Sequence, residues 1–181
     1  SNLKAFIVIG HFDTVGKSFA GADDNGSGTS GVLEMARILT KQNIKNPIMF
    51  IAANGEERGL LGSKAHVKKL KKDRTNSKIG YVFNMDMIGY NETCVLNIET
   101  DYAFEEFGNL VADMTNTYTG LTPRVNMPAC GSDHVPYIKA KIPAMLTIED
   151  WENHNPCYHR SCDTIDKIDF EFARDIIKVN I

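Results

Sequence analysis

Short apolar runs alternate with helix-period segments along this 181-residue chain, and that alternation restricts its fold more than any other feature. LKAFIVIG (3–10) is a β-branched run ending at Gly10, with the length of a buried strand. Asp24-Asn25-Gly26-Ser27 supplies turn and capping residues, after which SGVLEMARILTKQ (30–42) repeats apolar residues at helical spacing. Asn46-Pro47 ends that helix, and IMFIAAN (48–54) reads as the next strand. GLLGSKAHVKKLKK (59–72) follows as a helix, IGYVFNMDM (79–87) as a third strand and CVLNIE (94–99) as a fourth. YAFEEFGNLVADMTNTY (102–118) reads as a helix, AMLTIE (144–149) as a strand, and DFEFARDIIKVN (169–180) as a helix start that stops early.

Strands that alternate with helices predict βαβ units and a largely parallel sheet covered on both faces, here one α/β domain over residues 1–181. In such sheets ligands sit beyond the carboxyl ends of the strands. A net charge of −3 gives no electrostatic reason to expect nucleic acid or an anionic membrane. The basic run from Lys64 to Arg74 is most simply the wet face of a helix. No apolar run approaches the ~20 residues that a membrane-spanning helix needs. Ser1-Asn2 reads as the remnant of a cleaved tag, so compartment has to come from Cys94, Cys130, Cys157 and Cys162.

Chemistry-bearing residues collect where the fold would put a ligand. His11 and Asp13 follow the first strand, Asp23 and Asp24 precede the first helix, Glu56 and Glu57 follow the second strand, and Asp86 lies at the end of the third. Acids and imidazole gathered in one crevice are costly unless a cation compensates them. Oxygen and imidazole donors without thiolate suit Zn²⁺, with Co²⁺ or Mn²⁺ as substitutes. So many donors exceed what one tetrahedral ion needs and suit two metals about 3.5–4 Å apart sharing a carboxylate.

HFDT, GADDNGSG, GEERGLLGS, NMDMIG, GSDH and CYHRSCDT, between residues 11 and 164, together resemble the co-catalytic di-zinc aminopeptidases of zinc metallopeptidase family 28, bacterial leucyl aminopeptidase type. The resemblance implies a three-layer α/β/α fold with a mostly parallel mixed sheet, shortened at its N-terminus relative to that family. It implies His11 and Asp86 on one metal, Glu57 and His159 on the other, Asp24 bridging two Zn²⁺, and Asp13 holding the second ring nitrogen of His11. Glu56 becomes the base for a water activated between the metals, Tyr158 a helper of the oxyanion, and Glu56 or Asp86 an anchor for the substrate amine. Met87, Ile148 and Tyr158 line an apolar pocket, so the expected reaction is hydrolysis of the bond after a leucine-like N-terminal residue.

His134 of GSDH is the rival of His159 as a ligand, His66 is expected to be exposed on a basic helix, and His154 sits in a polar loop. The expected partners are peptides, without nucleic acid or membrane, acting on a monomer. Two other readings keep the fold: a mono-zinc acyltransferase like glutaminyl cyclase, and a binding domain without metals. Some secreted members of the resembled family carry a disulfide in the loop that holds Cys157 and Cys162. The resemblance thus implies a clasp there, and with it a secreted or periplasmic protein.

Overall fold

In a computed structural model that describes residues 3–181 (Ser1 and Asn2, read above as a tag remnant, lie outside it), six strands form one mixed sheet. The strands are β1 (Ala5–His11), β2 (Ile48–Ala53), β3 (Ile79–Met85), β4 (Val95–Glu99), β5 (Thr122–Asn126) and β6 (Ala144–Ile148). Their order across the sheet is β2-β1-β3-β6-β4-β5. The β2, β1, β3 and β6 strands run parallel, whereas β4 pairs antiparallel with β6 and parallel with β5. The fold class is therefore the α/β sandwich with a mixed sheet that the sequence implies.

Five helices cover the sheet: α1 (Gly28–Leu39), α2 (Leu61–Lys72), α3 (Glu105–Tyr118), α4 (Val135–Lys139) and α5 (Phe170–Asn180). Alternate residues of β1 sort into two cores, as the period of a strand requires. Val8 joins residues of α1, α3 and α5, including Val32, Met35, Val111 and Ile176. Ile7 and Ile9 join Val67 and Leu70 of α2 and Tyr137 of α4. Both faces are buried, and burying each such side chain contributes about 1.5–3 kcal/mol. The last helix does not stop early: the Asp169 carboxylate caps it by accepting from Glu171 and Phe172 N–H, and it runs to Asn180.

The chain leaves β1 through α1 on one face to β2, then returns through α2 on the other face to β3 on the far side of β1. This reversal opens a crevice at the carboxyl end of β1, which is where His11 stands. Among the described residues, no helix is long and apolar enough to cross a membrane.

Candidate metal centre and active site

The last residue of β1, His11, is 1% exposed, and its Nε2 lies 3.4 Å from Asp24 Oδ1 and 3.3 Å from Asp86 Oδ1. Asp86 follows β3 directly and is buried with it. Across the crevice, His159 Nε2 lies 3.1 Å from Asp24 Oδ2 and 3.1 Å from Glu57 Oε2. Asp24 thus turns one oxygen to each group. His11, Asp24 and Asp86 form one cluster and Asp24, Glu57 and His159 another, each with donor atoms within 4.8 Å of one another. His11 also clusters with Glu56 and Glu57.

Backbone geometry aims these side chains. The loop before α1 carries Asp24, and Asn25 fastens it by donating from Nδ2 to Met85 O while accepting at Oδ1 from the N–H groups of Gly28 and Met87. A Cβ at position 28 would lie 2.2 Å from Met85 O and 2.3 Å from Asn25 Oδ1, so only glycine lets helix and strand approach this closely. Asp13 faces the second ring nitrogen of His11 chiefly through its backbone. His11 Nδ1 is nearer its backbone oxygen (3.1 Å) than its carboxylate (3.6 Å), and the carboxylate accepts the N–H groups of Glu56 and Glu57 instead.

Electrostatics favours a cation here. Burial opposes charge on His11, but the Asp86 carboxylate and hydrogen bonds to Asp24 and Asp86 outweigh it and push its pKa up to about 12. Burial foremost, with the Asp86 charge next, pushes Glu56 up to about 8, and burial with the Asp24 charge pushes Glu57 up to about 8. Without a metal the cluster must hold protons, whereas a divalent cation reverses that preference. Glu57 Oε1 is buried without a hydrogen-bond partner, an acceptor free for a cation. Oxygen and imidazole donors at this spacing fit divalent metal ligation.

A cavity of about 120 Å³ opens on the clusters. Met87, Leu146 and Ile148 form its apolar wall, with Tyr158 packed against them. Tyr158 stacks on His159 at 3.8 Å, and burial raises its pKa, so the hydroxyl stays protonated. A larger apolar groove of about 760 Å³, between α1 and α5, holds none of these donors. The Cys157–Cys162 disulfide is formed, with Cα atoms 5.3 Å apart around Tyr158 and His159, while Cys94 and Cys130 are free thiols.

The remaining histidines stand apart from both clusters. His134 is fully buried with both ring nitrogens unpartnered. His154 stacks on Trp151. His66 is half-buried rather than exposed, with Nδ1 2.7 Å from the Tyr137 hydroxyl. Several supporting residues were not singled out by sequence. Ser132 donates to Asp86 Oδ2 at 2.6 Å, and Asn84, a buried amide inside an apolar strand, donates to Ser132 Oγ. The Asp163 carboxylate accepts the N–H groups of Asp23 and Asp24, each at 3.0 Å. A polar residue within an apolar run is the one signal that could have marked Asn84.

Similar proteins have the same arrangement of chain. A probable leucine aminopeptidase of Arthroderma otae is 35% identical over 92% of this chain and 49% of its own length. The structure of BSAP, a zinc aminopeptidase from Bacillus subtilis, superposes with a TM-score of 0.85 at 31% identity, over 99% of this chain and 45% of that one. A glutaminyl cyclase from an Acidobacteriales bacterium, 21% identical with a TM-score of 0.75 over 98% of this chain and 67% of its own, shares the fold. The chain therefore spans about half the length of the aminopeptidases it matches. The family model for Peptidase family M28 matches residues 1–181, and the chain belongs to that family.

Proposed function

We propose that this chain carries the core of a zinc aminopeptidase that removes an apolar, leucine-like residue from the N-terminus of peptides. The observation that carries the proposal is the division of Asp24, with Oδ1 facing His11 and Asp86 and Oδ2 facing Glu57 and His159. His11, Asp24 and Asp86 would hold one Zn²⁺, and Asp24, Glu57 and His159 a second. Zinc, when bound, supplies Lewis acidity that lowers the pKa of water and polarises a carbonyl.

The chain's own groups do the rest. Glu56 lines the cavity beside the clusters, takes the proton from water and returns it to the leaving amine. Asp13 holds Glu56 and Glu57 in place through their backbone N–H groups. Tyr158, kept neutral, donates its hydroxyl proton toward the oxygen that gains charge. Glu56 or Asp86 holds the substrate's ammonium, and Met87 and Ile148 receive its side chain. The names of the Arthroderma otae and Bacillus subtilis relatives support both the leucine reading and the zinc. The disulfide supports an oxidising, secreted or periplasmic setting.

Elemental analysis combined with hydrolysis of leucine p-nitroanilide tests the proposal. The expected outcome is two zinc ions per chain and chelator-sensitive release of nitroaniline. Glu56→Gln should keep its metal and lose about 10²–10⁴-fold in turnover; loss of metal would mean that base and ligand are reversed. A single zinc with no amide hydrolysis would favour the cyclase reading, and no zinc the binding domain.

A further inference from the structure

The net charge of −3 conceals an uneven distribution. Residues 60–79 and 134–143, which build α2, α4 and the turns after them, hold nine of the chain's 20 lysines and arginines but one of its 23 acids. All nine cations are exposed, and among the described residues Lys69 alone of them is ion-paired, with Asp73 at 2.6 Å. The helical period puts Leu61, Lys64, Lys68 and Lys72 in one stripe with Lys71 beside it, turned away from the buried Ser63, Val67 and Leu70. Leu61, within that stripe, is 54% exposed. Next to the stripe lies a groove of about 230 Å³ between α2 and α4, where Leu60, Val67, Val135 and Pro136 give apolar walls and Lys64 and Lys139 add charge. So many like charges on one face repel one another, and an anionic partner removes that cost.

We propose that this face docks on an anionic lipid surface, with Leu61 entering the interface and the lysines reaching headgroup phosphates. A nucleic acid fits less well. The one aromatic residue of these two segments, Tyr137, is fully buried, which leaves no platform for base stacking, and eight of the nine cations are lysine rather than arginine. The metal clusters gather at the strand ends, before α2 begins, so a bilayer along the flank of the helix leaves the crevice open. The proposal goes beyond the aminopeptidase reading and holds whether or not the chain cleaves peptides.

Co-sedimentation of the chain with phosphatidylcholine vesicles, with and without phosphatidylglycerol, tests it. Binding should need the anionic lipid and should fall about 10-fold or more between about 0.05 M and about 0.5 M salt. Lys64→Gln, Lys68→Gln, Lys71→Gln and Lys72→Gln together should weaken it about 100–1,000-fold, roughly fivefold per lysine. Arg37→Gln, Lys41→Gln, Arg174→Gln and Lys178→Gln remove the same charge on or just after α1 and α5, across the sheet, and should cost less than about fivefold in total. Thermal melts establish that both variants are folded. Leu61→Ala should weaken vesicle binding about threefold or more. Binding that ignores the anionic lipid, equal loss in the two charge variants, no effect of Leu61→Ala, or tighter binding to duplex DNA than to the anionic vesicles each overturns the proposal.

Discussion

At the residue scale, the two-cluster geometry depends on His159, whose backbone sits in the left-handed region at φ 57°. Few residues with a Cβ adopt that conformation without surrounding contacts that hold it. Here the disulfide closes around the residue and Tyr158 stacks on its ring, so that Nε2 points at Asp24 and Glu57. His159→Ala should therefore release about half of the bound zinc, because it removes a ligand from one cluster only. His134→Ala should keep the full complement, since His134 belongs to neither cluster. Zinc counting on both variants checks this, and the opposite pattern would make His134 the ligand. The residue types were legible in the sequence because acids and histidines at strand ends are costly without a cation. Their directions were not. Whether Asp13 meets His11 through its carboxylate or its backbone depends on how loop 54–57 folds against it, and no local pattern encodes that.

Element boundaries followed the same division. Strands such as AFIVIGH announced themselves through β-branched runs, because both faces are buried and every position before the terminal His11 is apolar. β5 did not: TPRVN is an edge strand containing proline and arginine, where one side needs no hydrogen-bonding partner. α4 has five residues, too few for helical periodicity to show. Loop 155–164 has no regular element, and its turns and disulfide are anchored to the rest of the fold by tertiary contacts. Asp163 accepts from Asp23 and Asp24, and Asn155 donates to Asp23 at 3.0 Å, tying the His159 loop to the Asp24 loop. Asp163→Asn leaves one oxygen for two donors and should weaken zinc retention about 10–100-fold in chelator competition, as outer partners of metal ligands do. An unchanged competition curve would sever the link between the loops. Replacing Cys157 and Cys162 together by serine should cost about 2 kcal/mol, since so short a loop restricts the unfolded chain little, and a thermal melt would read it.

The whole molecule gathers its buried acids and histidines at one end of a sheet whose two faces are apolar, and that arrangement has a pH signature. Just past β6, Glu149 is 1% exposed and accepts the N–H groups of Asn155 and Tyr90. Burial, and then the neighbouring Asp23 carboxylate, push its pKa from 4.5 up to about 10; burial also raises that of Asp23. The two acids share a proton that the unfolded chain would give up near its ordinary carboxylate pKa. A group whose folded pKa is raised contributes stability that is complete below its unfolded pKa and is lost as pH climbs through the folded one. For Glu149 this window runs from 4.5 to about 10. Stability of the zinc-loaded protein should thus fall between pH 6 and 9, with Glu149 contributing at most about 1.4 kcal/mol per pH unit. Glu149→Gln cannot ionise. It should be less stable at pH 6, because its amide nitrogen cannot accept from one of the two backbone N–H groups, but its decline toward pH 9 should be shallower. Denaturant titrations of both proteins across that range measure the difference in slope, and parallel curves would show that the shared proton lies elsewhere.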